Sequence, residues 1–512
     1  MKIALLADLH LSDIVGTPQE ETFEWALDEL EALRPDAAVW LGDVTACGSL
    51  DAAMRFCKRI GTLSFPSVAV PGNSDIRTPA TAPVAERMLF NCPDGLLIGN
   101  LRIVGVNSSH NGLSLAERER LSNLAIREDV LLCSHQSPYH MDGESRGFME
   151  AWMDGVVAGG HRVLAWAWGH IHEYQEGEFH GVSTYSIRAL DPDKCCHGSA
   201  QICILTVADG QPLSVEQIEY RRGLPEAWTD EERRELVDAL GMTLYHARDR
   251  ERDMAFAIEN GVRHLEFRIV SEEDIPMIEA WRRSGGKTLS LHFPSLGWDG
   301  TGATNLADFE KYARDAVRAG MDMVTVHPPS VQNDIMLCTN AFDVLADAMA
   351  ACLRSVAHAG IDILVENNHT LPGTSADPLA RPYGCSPAEL AGWRDALTAR
   401  LGKGTCHLRL DVGHARNNAP LSQEYCLGKW YALVGGDTRA YHLHQTVIRP
   451  DTGHMHNHYP ITGFHDGLVS FDGFLWAWHT GALTHGPLIL EIREADGAMD
   501  TWERIKHLVL EA

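Results

Sequence analysis

Short apolar runs that stop abruptly at a carboxylate, amide or imidazole punctuate this chain from end to end. In the first half they read KIALLADLH, PDAAVWLGDV, SVAVPGNSD, DVLLCSHQSP and VLAWAWGHIH, and close on Asp8 and His10, Asp43, Asn73, His135, and His170 with His172. Helical stretches such as TFEWALDELEAL and DAAMRFCKRI lie between several of them. Alternating strands and helices predict a layered α/β domain. In a strand, residues i and i+2 share a face, so Asp8 and His10 are expected to point the same way.

Near residue 225 the pattern changes. Pro225 opens a short charged helix with Thr229 as its expected N-cap, and Gly241 is expected to close it. From there a helix–Gly–strand cadence repeats: MTLYH, RHLEFRI, TLSLHF, MVTVHPPS, DILVENNH, HLRLDVGH, AYHLHQT and LILEIRE. Eight such units predict a (β/α)8 barrel, with a doubly wound open sheet as the alternative. The expected organisation is a layered α/β domain over 1–224, a linker helix over 225–240 and a barrel over 241–512.

Composition changes this picture in one respect. The 45% hydrophobic and 22% charged content is ordinary for a globular chain of 512 residues, but the net charge of -27 is not. Such a balance repels polyanions and disfavours nucleic acid and anionic membrane as partners. No apolar run is long enough to span a bilayer, and Asp8 interrupts the N-terminal run too early for a signal peptide. The 12 cysteines form no CxxC pair, so reduced thiols and a cytoplasmic location are expected. Homo-oligomerisation is left open.

The 26 histidines concentrate at the ends of apolar runs, where α/β proteins place ligands. One Asp-x-His at a strand end is an ordinary capped turn. Five such ends in order point to a metal centre with mixed N/O donors. Read as a barrel, the second half brings further donors to the C-terminal strand ends: Glu266, His292, His327, Glu366, Asp411 with His414, His442 with His444, and Glu491. The segment DTGHMHNHYP adds His454, His456 and His458. Left unpaired, a ring of carboxylates and imidazoles would suffer repulsion and desolvation, so metal is expected here too.

The motifs DLH (8–10), GDV (42–44), GNSD (72–75), His135 and GHIH (169–172) together resemble the calcineurin-like metallophosphoesterases. The resemblance implies a two-metal centre of Mn, Fe, Zn or Co. One metal would take Asp8, His10, Asp43 and His172; the other Asp43, Asn73, His135 and His170, with Asp43 bridging. A metal-bridging hydroxide would then attack a phosphoester, held by cations about 3.5–4 Å apart. The family usually has His where this chain has Ser74. That position serves the substrate, so Ser74 is expected to alter leaving-group chemistry and favour diesters or good leaving groups. His110 and His140 lie in loops that are candidates to supply an acid.

The motifs LSLHF (289–293), VHPPS (326–330), VENN (365–368), LDVGHA (410–415), HLH (442–444) and LEI (490–492) resemble the xylose-isomerase-like barrels. These include sugar-phosphate isomerases and epimerases and the endonuclease IV type. An epimerase-like core would set Glu366, Asp411, one His of strand seven and Glu491 around one metal, with the two glutamates exchanging protons. The endonuclease-like set adds His292, His327, His414, His456 and His458, with His456 standing where that pattern has Asp. The barrel is thus expected to hold one to three ions of Mn, Zn, Fe or Mg. Three readings follow: a bifunctional enzyme acting on a small phosphorylated or phosphodiester substrate, a nucleic-acid-processing phosphodiesterase, and non-catalytic metal sites.

Overall fold

A computed structural model describes residues 1–208, 213–246, 249–331, 341–370, 381–449, 451 and 453–511. The chain divides into two compact units, residues 1–222 with 470–473, and residues 223–469 with 474–512.

The first unit is built on two sheets. One has five strands in the order Ser214–Glu219, Gln201–Thr206, Lys2–Leu6, Ala37–Leu41 and Ser67–Val70. The other has six, running Leu96–Ile98, Leu101–Val106, Asp129–Ser134, Val163–Trp168, Val182–Ser186 and Gln175–Phe179. Ile3, Leu5, Val39 and Leu41 of the first sheet form one core with Ile103, Leu131, Cys133, Ala165 and Ala167 of the second. The sheets therefore pack face to face, and their near-continuous apolar runs are explained by burial on both faces. Trp40 turns outward and stacks edge-on against Phe23 and Phe56 of the flanking helices Pro18–Leu33 and Leu50–Ile60. On the far face of the second sheet, Val104, Leu132 and Trp166 pack on Leu121, Met149 and Met153 of two further helices. The result is a layered α/β domain.

The second unit is a closed parallel barrel. Its strands are Leu240–Leu244, His264–Phe267, Thr288–His292, Met323–Val326, Asp362–Glu366, Cys406–Asp411, Thr438–Leu443 and Leu488–Leu490, and the last pairs with the first. Closure rules out the open-sheet alternative. The entry helix Asp230–Ala239 carries a capping box between Thr229 and Glu232. Gly241 departs from expectation: it does not cap that helix but lies inside the first barrel strand. A Cβ there would stand 2.4 Å from the His264 carbonyl oxygen, so the residue is needed for close approach of neighbouring strands. The hairpin Gln445–Ile448 with Met455–Tyr459 extends beyond the seventh strand. Among the described residues, no helix is long and apolar enough to cross a membrane.

Candidate metal centres

In the first unit, five strands from both sheets deliver their C-terminal ends to one place. Asp8 and His10 follow Lys2–Leu6, Asp43 follows Ala37–Leu41, Asn73 and Ser74 follow Ser67–Val70, His135 follows Asp129–Ser134, and His170 and His172 follow Val163–Trp168. Two donor groups form, Asp8 with His10 and His172, and Asp8 with Asp43 and His135; the donor atoms of each lie within 4.8 Å of one another. Asp43 lies between the two sides, with Oδ2 3.2 Å from His10 Nε2 and Oδ1 3.4 Å from His135 Nε2. Asn73 Oδ1 is 3.0 Å from His135 Nε2, and His170 Nδ1 is 3.1 Å from the same nitrogen.

These residues fit a pair of cations. His135 donates from Nδ1 to the Leu41 carbonyl at 2.9 Å, which leaves the Nε2 lone pair turned into the cluster. Asp8 Oδ1 is buried with no hydrogen bond, while His172 Nε2 and His135 Nδ1 stand 3.7 and 3.8 Å away. Those spacings are too long for hydrogen bonds. Burial, with the Asp43 charge adding to it, pushes the Asp8 carboxyl up to about 6. Burial and the neighbouring His135 push His170 down to about 4, so it is neutral and able to ligate near neutral pH.

The backbone is bent to make this arrangement. Asp8, His10, Asp43, His170 and His172 all have positive φ, between 48° and 77°. Non-glycine residues seldom adopt that region, and such strain gathers at functional sites. Gly72 completes the cradle: a Cβ there would lie 2.2 Å from Asp43 Oδ1.

Two residues change the expected picture. Ser74 is engaged with a metal donor. It is buried, and its hydroxyl and amide donate to Asp43 Oδ2 and Oδ1 at 2.8 and 2.7 Å. Its short side chain reaches no farther than that carboxylate, so it braces Asp43. Asp191 was not singled out from the sequence. Its Oδ2 lies 3.2 Å from His10 Nδ1, and Gln19 Nε2 donates to its Oδ1 at 2.8 Å, an arrangement that fixes the His10 ring. The run SIRAL halts at this aspartate as the other runs halt at ligands, and that was the available signal. Of the loop histidines, exposed His110 meets Glu86 at 3.2 Å, whereas the His140 ring lies 6.4 Å from that of His170.

In the barrel, donors gather at the C-terminal strand ends in linked groups: His292, Glu366, His442 and Glu491; Glu366, Asp411 and His414; and His414, His444 and His458. Glu366 Oε2 is 3.0 Å from His292 Nε2 and 3.4 Å from His327 Nε2. His442 Nδ1 stands 2.7 Å from Glu366 Oε1 and 2.9 Å from Glu491 Oε2. Asp411 Oδ1 is 3.0 Å from His444 Nε2. Glu366 and Glu491 thus share His442, while Asp411 turns to His414 and His444. His442 Nδ1 also lies 3.9 Å from Asp411 Oδ2, so the three carboxylates expected for an epimerase-like core all approach this ring.

The fit to metal again rests on the donors. Glu491 Oε2 and His327 Nδ1 are buried without hydrogen bonds. His292 donates from Nδ1 to the Phe293 carbonyl at 2.9 Å, freeing Nε2. Burial lowers His327 and His414 to about 4. Burial opposes the charge on His442, yet Glu366 and Glu266 raise it to about 9. A Cβ at Gly413 would stand 1.9 Å from His444 Cε1, so this glycine makes room for the ring. His458 is buried, with positive φ, and its Nδ1 is 3.2 Å from the Glu491 carbonyl. His456 is only half-buried, opposite Val447 on the hairpin.

Three further barrel residues escaped the sequence reading. Arg409 is fully buried beneath the cluster, donating to Glu266 and lying 2.7 Å from His442. Arg268 pairs with Glu491. His369 stacks on His414 at 4.5 Å between ring centroids. Arg409 shares a strand face with Asp411, two residues on, and that periodicity was the usable signal.

Residues 1–174 match the family model described as calcineurin-like phosphoesterase. No curated protein matches the chain. Among solved structures, endonuclease IV from Thermus thermophilus is 18% identical over 53% of this chain and 99% of its own, with a TM-score of 0.37. A xylose isomerase homologue from Rhodospirillum rubrum is 18% identical over 53% and 98%, with a TM-score of 0.41. A xylose isomerase-like TIM barrel protein from Mycobacterium smegmatis in complex with magnesium is 14% identical over 52% and 90%, with a TM-score of 0.34. The chain thus carries an N-terminal segment that matches the calcineurin-like phosphoesterase family, followed by a closed eight-stranded parallel barrel.

Proposed function

We propose that the N-terminal centre hydrolyses a phosphoester, with diesters preferred, and that the barrel is a second metal-dependent centre for the same class of small phosphorylated substrate. The observation that carries the first part is the pair of buried donor groups sharing Asp8, with Asp43 set between His10 and His135. Bound there, two divalent cations supply Lewis acidity toward phosphate oxygens and lower the pKa of water. The protein's own part is positional. Asp43 is held by Ser74, His10 by Asp191 and His135 by the Leu41 carbonyl, so the donors are aimed before any substrate arrives. The preference for diesters rests on Ser74, a poor acid already committed to Asp43.

For the barrel, the linked donor groups support several cations and a hydrolytic role. A second reading, isomerase- or epimerase-like proton exchange on a sugar or sugar phosphate, is favoured by Glu366 and Glu491 converging on His442 from two sides. The net charge of -27 weighs against a nucleic-acid substrate for either centre.

The test is hydrolysis of a nitrophenyl diester and monoester panel by wild type and Asp43→Ala. Loss of diester turnover in the variant is expected, and full activity would remove Asp43 from the chemistry. For the barrel, metal analysis of Asp43→Ala should still find the ions held by Glu366. Finding none would overturn a metal-dependent barrel.

A further inference from the structure

Beside the N-terminal centre lies a cavity of about 490 Å³ bounded by Tyr139, His140, Trp168, Ile171, Glu173 and Glu176, among others. Its walls are sequence and ring neighbours of the metal donors. Ile171 separates His170 from His172, and the His140 ring lies 6.4 Å from the His170 ring and 6.3 Å from the Trp168 ring. Whatever a phosphoester carries next to its phosphate has this space to enter.

The lining has a definite chemistry. Tyr139, 43% exposed, supplies the accessible aromatic surface. Trp168 is 4% exposed, and its buried Nε1 has no hydrogen-bond partner. Glu173 accepts from Gln175 at 3.0 Å and Glu176 from the Tyr174 hydroxyl at 2.7 Å, both neutral donors. His197 approaches Glu173 only to 3.9 Å. Among the described residues, no arginine or lysine lines the cavity. Two carboxylates beside aromatic rings, without a resident cation, complement an alkylammonium group through charge and cation–π attraction. They repel a second anionic group on the substrate.

We infer that this cavity is the subsite for the alcohol portion of the substrate, and that it selects phosphoesters bearing an alkylammonium head, such as choline or ethanolamine. The inference rests on the phosphoesterase reading for its place in turnover, but binding of the head group is separable from it. The same head group reaches a protein as a soluble diester or on a lipid surface, and the test distinguishes these.

Calorimetry of full-length protein with choline, ethanolamine and propanesulfonate gives the first readout. Saturable binding of the two cations, no binding of the sulfonate, and at least tenfold weaker cation binding in Glu173→Gln/Glu176→Gln are expected. No cation binding, equal sulfonate binding, or an unaffected double variant would each overturn the inference. Turnover of nitrophenyl diesters carrying choline or its uncharged 3,3-dimethylbutyl analogue gives the second readout. The charged-to-neutral ratio of kcat/KM should exceed tenfold in wild type and fall toward unity in the double variant; a ratio near unity in wild type counts against the subsite. Asp43→Ala should lose diester turnover yet still bind choline, so failure of the phosphoesterase reading leaves the binding result to stand or fall alone. Glycerophosphocholine binding without co-sedimentation on phosphatidylcholine vesicles would identify the soluble source, and co-sedimentation the lipid; binding of neither would overturn the inference.

Discussion

The two metal centres are built from the same side chains by opposite means. In the N-terminal unit the donors sit just beyond strand ends on a bent backbone, where Asp8, His10, Asp43, His170 and His172 all hold positive φ. In the barrel His292, Glu366 and Asp411 are the last residues of regular strands, and of the donors named there only His458 has positive φ. The barrel meets its electrostatic load from below, with Arg409 buried against Glu266 and His442. At the N-terminal donors the bracing comes instead from Ser74, Gln19 and Asp191, with Lys194 a more distant cation 3.9 Å from Asp191 Oδ2. One centre is strained and loosely counter-charged; the other is relaxed and sits on a resident cation.

The strongest break in this comparison is Asp43→Ala. It should lower N-terminal phosphoester turnover by about a thousandfold or more, several kcal/mol of barrier, while leaving barrel metal in place by elemental analysis. Next is Arg409→Met, which leaves Glu266 buried without its cation. It should destabilise the barrel by about 3–5 kcal/mol in denaturant unfolding and leave diester turnover intact; a loss below about 1 kcal/mol would show that His442 alone neutralises Glu266. Asp191→Asn should weaken N-terminal metal affinity by about 10–100-fold, measured by chelator competition, with no change in barrel metal.

The smallest effect sharpens the contrast through pH. In metal-free protein, burial depresses the barrel histidines His264, His327 and His414 to about 4 and His369 to about 3, against an ordinary 6.5. Between those values and 6.5 the unfolded chain binds protons that the folded barrel does not, so stability rises with pH across that window. In the N-terminal unit His170 behaves likewise, but Asp8 and Asp75, raised by burial to about 6 from 3.8, act in the opposite sense. The barrel's unfolding midpoint should therefore fall by several degrees from pH 7 to pH 5, and the N-terminal unit's should move less. Equal shifts, resolved by domain-specific probes, would contradict this.

Much of both centres was legible because strand ends are legible. An apolar run that halts at Asp or His announces both a buried strand and the direction of its last side chain, and this led to Asp43, His135, Glu366 and Asp411. What escaped depended on contacts between distant segments. Asp191 meets His10 across 181 positions of sequence, and no local pattern announces that pairing. Arg409 was overlooked because a charge within an apolar run conflicts with the pattern that defines the run. Ser74 was placed in its turn, but its bond to Asp43 was not legible there, since orientation depends on a carboxylate 31 residues earlier. Gly241 reads as a helix terminator from one side and as a strand contact only when His264 is in view.

Gly413 carries a consequence of another kind. The place of the His444 ring is defined by a methyl group that is missing. Glycine and alanine codons differ by one base, so the mildest side-chain change in the genetic code would evict a donor ring from the barrel mouth. Drift among homologous sequences should therefore tolerate changes in the donors' flanking residues far more readily than at this uncharged, chemically inert position.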